Sequence, residues 1–121
     1  MTVQQPPTTV PAAFVINTAI SGAISLEHWI GGQVVVPSAW TAANMGFKVS
    51  DSATGTFTIL KDDVGTPVQI SNITTNASYA YSLPTELFKS RYIKLWSKSA
   101  TAGTVTDVNQ AAARSLSVYL K

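Results

Sequence analysis

The sequence predicts an all-β fold, a single-domain β-sandwich of jelly-roll-like type preceded by an extended N-terminal arm. Three observations lead there. About eight short segments alternate apolar and polar residues with the two-residue period that sends successive side chains to opposite faces of a sheet. Polar turns rich in Gly, Pro, Asn, Asp and Ser separate these segments, the spacing of an all-β sandwich. No helical period runs long enough to hold a helix by itself. At 121 residues the chain fits one domain, with residues 1–11 read as the arm and 12–121 as the sandwich. A domain of this size withdraws about two-thirds of its unfolded surface from water, which suffices for a core.

The arm holds Pro6, Pro7 and Pro11 among Thr, Val and Gln. Proline has a fixed φ and no amide hydrogen, so the arm is expected to run extended and outside any central ladder, either as a disordered tail, the commoner case at termini, or as an arm lying along a neighbouring subunit. Residues 12–21 form the first expected strand, with Phe14, Ile16 and Ile20 on one face. Residues 23–30 form the second, setting Ile24, Leu26, His28 and Ile30 against Ser25, Glu27 and Trp29. After Gly31 and Gly32, residues 33–36 read as an apolar run closed by Pro37, the pattern of a strand covered on both faces. Trp40 lies in a turn-like segment, and its large indole calls for burial under the end of the sandwich.

Residues 37–60 are the centre of the pattern. Met45, Phe47 and Val49 alternate with Gly46, Lys48 and Ser50, and beyond Gly55 the residues Phe57, Ile59 and Leu60 supply the second strand of a hairpin. Such a pair is marginal in water and buries its apolar row only against a second sheet. Asp62, Asp63 and Gly65 then make a polar turn before a short strand at 67–70. Tyr79 and Tyr81 alternate with Ala80 and Ser82. Pro84 opens a single helical turn whose Leu87 and Phe88 plug the sandwich end. In residues 91–98, Ile93 and Leu95 point inward, while Tyr92, Lys94, Trp96 and Lys98 share the other face, where lysine stems can run over apolar surface. A loop at 99–106 and a small-residue stretch at 107–113 lead to the last strand, with Leu116, Val118 and Leu120 on one row. The expected core is Phe47, Val49, Phe57, Ile59, Ile93, Leu95, Leu116 and Val118.

Composition limits the function. Charged residues make up 12% of the chain and hydrophobic residues 45%, against about a quarter charged in an ordinary soluble protein. Two readings follow: an uncharged secreted or virion β-domain, or a subunit with a substantial partner interface. Net charge is +2, and the basic cluster at 89–98 is too sparse for a nucleic-acid groove, so no nucleic-acid partner is expected. No apolar run approaches the roughly 20 residues that span a bilayer, and no membrane partner is expected. The start MTVQQPPTTVP lacks the basic start and apolar core of a signal peptide, so synthesis in the cytoplasm is expected.

The sequence offers little to catalysis. Cysteine is absent, which removes disulfides and thiolate metal sites. His28 is the only imidazole, and Glu27 beside it faces the other side of a strand. Asp51, Asp62, Asp63, Glu86 and Asp107 fall nearly all in turns, where acids commonly sit. Asp62 and Asp63 lack the spaced ligands of a calcium loop. No glycine-rich phosphate loop opens a helix. The expectation is no enzyme, no catalytic residue, no metal and no cofactor. A binding module and a structural subunit remain, and Trp29, Trp40, Tyr79, Tyr81, Tyr92, Trp96 and Tyr119 could serve either by stacking on a sugar or by anchoring a protein contact.

The run PSAWTAANMGFKVSDSATGTFTILKDDVGTPVQI, with RYIKLWS later and NQAAARSLSVYLK at the end, resembles a family of small tailed-bacteriophage virion proteins of the head decoration, or cement, type. The resemblance extends over residues 31–121. It implies a jelly-roll-like sandwich, a homo-oligomer with a trimer favoured over a dimer, made in the host cytoplasm and carried on the capsid surface of the virion. There it would bridge neighbouring copies of the major capsid protein. The R-Y-hydrophobic-K strand is also similar to discoidin-like carbohydrate-binding sandwiches, which implies an alternative: a glycan-binding module used for host-surface adhesion. The resemblance brings no ligand residues with it. On the structural reading, Pro6, Pro7, Pro11, Trp29, Tyr92 and Trp96 are expected at the interface.

Overall fold

The computed structural model describes residues 6–100 and 105–121. Residues 1–5 of the expected arm and 101–104 of the expected loop lie outside the described residues. Two antiparallel sheets face one another as a β-sandwich. The strands are β1 (Thr8–Phe14), β2 (Ile24–Ser25), β3 (Gly32–Val36), β4 (Asn44–Ser50), β5 (Thr58–Ile59), β6 (Gln69–Ile70), β7 (Tyr79–Ser82), β8 (Tyr92–Lys98) and β9 (Arg114–Leu120). One sheet has the order β1-β9-β3-β7; the other has β2-β8-β4-β5, with β6 also on β4. Strands from opposite ends of the chain pair first: β1 with β9, then β2 with β8, β3 with β7, and β4 with β5 and β6. These pairs nest inside one another.

The inner rows are the apolar rows of the alternation. Ala12, Phe14, Val34, Val36, Leu116, Val118 and Leu120 from the first sheet meet Ile24, Met45, Phe47, Ile93 and Leu95 from the second. Trp40 closes one end. It is 2% exposed, packs edge-on against Phe14 at 5.2 Å between ring centroids, and donates its indole N–H to the Ala43 carbonyl at 3.3 Å. The expected burial of Trp40 within its own chain is what the structure has. At the other end, a single 3₁₀ turn (Thr85–Lys89) follows Pro84 and drives Leu87 fully inside.

Several expectations need correction. Residues 8–11, assigned to the arm, belong to β1, where Pro11 stands opposite Ser117 of β9. The ladder tolerates this proline because β1 is an edge strand, where a missing amide hydrogen need not interrupt pairing. The first strand ends at Phe14, and Val15 and Ile16 are left 65% and 53% exposed. The second shrinks to Ile24–Ser25, and the chain turns at His28, whose φ of 72° is left-handed. Phe57 and Ile59 leave the expected core. Lys48 pairs with Ile59 and Val49 with Thr58, so Ile59 and Phe57 share the outer face with Lys48; a one-residue shift of register exchanges the faces of a strand. Val49 is half-buried against the core. In β3, Gln33 is exposed and Val35 half-buried while Val34 and Val36 are buried, so the strand is covered on one face and not on both.

The stretch 107–113 is neither helix nor idle loop. Gln110 is fully buried. Its Oε1 accepts the Thr41 amide at 2.8 Å, and its Nε2 donates to the Ser97 hydroxyl at 2.9 Å and the Thr41 carbonyl at 3.3 Å. Its main chain pairs with Asn17 and Thr18. One side chain thus joins the β3–β4 connection to β8, and its backbone adds the β1–β2 connection. Gln110→Ala would leave buried donors and acceptors unmatched, each costing about 1–3 kcal/mol. The expected outcome is a loss of about 3 kcal/mol in urea denaturation, against less than about 0.5 kcal/mol for Tyr79→Ala at an exposed position.

Candidate functional site

The outward row of the β1-β9-β3-β7 sheet follows from its register. Thr9, Tyr119, Gln33 and Ser82 line up across the sheet; Pro11, Ser117, Val35 and Ala80 form the next line; Ala13 and Ser115 complete the face. None of these side chains is charged. The residues are small apart from Tyr119 and Gln33, so the face is flat. At the end where Tyr119 stands, the face runs into an open groove of about 730 Å³ lined by Pro7, His28, Ile30, Gln33, Ser82, Tyr119 and Lys121, among others. Ile30 in this groove is 85% exposed.

The outer face of the other sheet is built differently. Tyr92, Lys94, Trp96 and Lys98 of β8 alternate outward beside Asn44, Gly46, Lys48 and Ser50 of β4. Trp96 lies across Gly46: a Cβ there would stand 2.5 Å from Trp96 Cε3. Its indole N–H donates to Asp107 Oδ1 at 2.7 Å, and Lys48 Nζ lies 5.3 Å from its ring centroid. Glycine at 46 is therefore a condition for the ring to lie flat. Trp96, expected at the interface, is 1% exposed and serves its own chain. It could not anchor a partner without leaving Asp107 and Gly46.

The other expected interface residues divide between surfaces. Pro7 lines the groove and Pro11 stands on the uncharged face; Pro6 is exposed nearby in sequence. Tyr92 is half-buried on the opposite sheet, and Trp29 packs half-buried against the core. Sequence reasoning missed Tyr119, Gln33, Val35 and Ser82 as one face, because their proximity depends on strand order. Among the seven aromatics singled out, Tyr79 and Tyr119 are exposed. Asp62 is occupied by its own turn, its Oδ1 accepting the amides of Val64 and Thr66 at 3.0 and 2.9 Å. Among the described residues, no group of three or more His, Cys, Asp or Glu is gathered as a metal site, and no helix is long and apolar enough to cross a membrane. Comparison with protein-family models, with curated proteins and with solved structures finds no match to this chain.

Lys98 has the most unusual electrostatic position. It is fully buried, and its Nζ donates to Gln69 Oε1 at 2.7 Å and to the Ser99 carbonyl at 3.1 Å. Burial away from water lowers its pKa from the usual 10.5. The charged form is thus penalised in the folded state alone. The penalty is full at pH values below the folded pKa and is shed as pH rises through it, up to the unfolded value. Urea denaturation of the natural chain should therefore show stability rising on the alkaline side toward pH 10.5. Lys98→Met should lack that increment. For Gly46→Ala, a loss of about 1–3 kcal/mol is expected in the same assay, from forcing Trp96 off its seat.

Proposed function

We propose that this chain is a structural assembly protein, and specifically a capsid decoration (cement) protein that bridges neighbouring major capsid subunits at the virion surface. The observation that carries this reading is the uncharged outer face of β1-β9-β3-β7. β3 has the apolar composition of a strand covered on both sides, yet its own chain covers one side. Depletion of charge at the centre of a surface is the compositional mark of a protein interface. A partner laid on this face would complete the coverage of Val35.

The size of the face bears on the mode of binding. Four strands at about 4.8 Å spacing and roughly six residues at about 3.4 Å give a footprint of about 400 Å². A stable pairwise interface buries about 800 Å² per partner. One such face alone is a weak contact, which suits a protein that gains its hold from an assembled lattice offering several contacts at once. Binding the assembled state alone stabilises it by mass action. The nested strand pairs support the jelly-roll reading, an architecture common among capsid and lectin domains. Oligomerisation as a trimer belongs to the same proposal.

The groove supports a second reading, a glycan-binding module. Tyr119 offers an exposed ring there, with the Gln33 amide and the Ser82 hydroxyl beside it. The two readings separate experimentally. Ser117→Glu combined with Ala80→Glu puts charges on the flat face, and occupancy on heads should fall at least tenfold while the thermal melt of the isolated chain stays unchanged. Heads without the protein should lose their DNA at lower temperature; equal heat tolerance would end the cement reading. Saturable sugar binding abolished by Tyr119→Ala, with head occupancy unaffected by the Glu substitutions, would favour the glycan module instead.

A further inference from the structure

The outer face of the five-stranded sheet carries a pair of lysines that no carboxylate among the described residues neutralises. Lys48 of β4 and Lys94 of β8 stand directly opposite one another in the antiparallel ladder. Like charges in that position repel. The side chains part, Lys48 Nζ lying 5.3 Å from the centroid of the Trp96 ring and Lys94 Nζ 4.5 Å from that of Phe57. Ring faces hold cations, so each ammonium is steered without losing its charge. The one ion pair recorded among the described residues joins Arg91 to Glu27 at 3.9 Å. Among the described residues neither Lys48 nor Lys94 has a carboxylate partner, and half-buried Phe57 and Ile59 lie beside them on the same face.

The geometry points to this lysine pair, with Phe57 and Ile59, as a docking surface for an acidic protein segment bearing closely spaced carboxylates. Charge complementarity selects the partner, since two cations facing each other on one ladder rung meet two carboxylates and are relieved of their own repulsion. Apolar contact with Phe57 and Ile59 adds area that a free anion would not use. Nucleic acid fits less well. Base stacking needs open ring faces, but Trp96 is buried and Phe57 is capped by Lys94. The inference deepens the assembly reading and rests on it only for the identity of the partner, because a bridging protein needs a second contact away from its uncharged face.

The test is a fluorescence titration of the full chain with an oligo-glutamate peptide, oligo-glutamine of equal length, and single-stranded DNA of equal charge, at low and at raised salt. Oligo-glutamate should bind, oligo-glutamine should not, and the double variant Lys48→Gln/Lys94→Gln should weaken oligo-glutamate binding by about tenfold or more. Lys48→Arg/Lys94→Arg should retain it, which separates loss of charge from loss of fold. Lys61→Gln/Lys89→Gln, with the same change in net charge elsewhere, should leave binding intact. Absence of oligo-glutamate binding, equal loss in the Lys61/Lys89 control, or tighter binding of DNA dependent on the same two lysines would overturn the proposal. No particle enters this assay, so its failure would leave docking through the uncharged face standing, and failure of that docking would leave this result standing.

Discussion

The buried amide of Gln110 is the contact on which the geometry of the sandwich end depends. An uncharged amide has both donors and acceptors, and here it meets the main chain of Thr41 and the hydroxyl of Ser97 while its backbone engages Asn17 and Thr18. Those partners come from three connections and strands that are distant in sequence. Buried without them, the amide would cost more than a core residue of its volume could return. Satisfied, it fixes where the chain enters β9. Strand β9 lies between β1 and β3, so its register decides which residues of the first sheet face inward. A slip of one residue would turn Leu116, Val118 and Leu120 to water and break the core.

That register also creates the two unlike outer faces. Once Leu116, Val118 and Leu120 point inward, Ser115, Ser117 and Tyr119 must point outward, beside Pro11, Val35 and Ala80. The opposite sheet takes lysines instead, since inward Phe47, Ile93 and Leu95 force Lys48 and Lys94 out. The outward rows therefore differ: Lys48 and Lys94 stand on one, and the other carries no charged side chain across Thr9, Tyr119, Gln33, Ser82, Pro11, Ser117, Val35 and Ala80. On the proposed assembly role, each of these unlike faces would meet a different neighbour.

The lysine face also shows how a chain without ion pairs to spare controls its charges. Lys48 and Lys94 are managed by rings, and Lys98 by an amide oxygen and a carbonyl. None of these partners neutralises a charge. Lys48 and Lys94 lie half-buried on the outer face, while burial works against the charge of Lys98. On the proposed docking role Lys48 and Lys94 would meet a partner, while Lys98 ties β8 to Gln69 of β6.

Local alternation by itself determined much of this protein: the all-β class, the inward rows of Phe47, Ile93, Leu95, Leu116 and Val118, the helical turn after Pro84, and the burial of Trp40. These follow from side-chain period and residue volume, which are properties of neighbours along the chain. Tertiary structure decided the rest. Phe57 and Ile59 look like core residues until the pairing of Ile59 with Lys48, and of Thr58 with Val49, sets their face. Trp96 looks like an interface anchor until Gly46, remote in sequence, and Asp107, across the following loop, provide its seat. Pro11 looks like part of an arm until β9 arrives beside it. The uncharged face exists only because β1, β9, β3 and β7 become neighbours, and no local pattern encodes that order. Strand pairing at long range is set by the free energy of closing the whole core, and only the folded chain evaluates it.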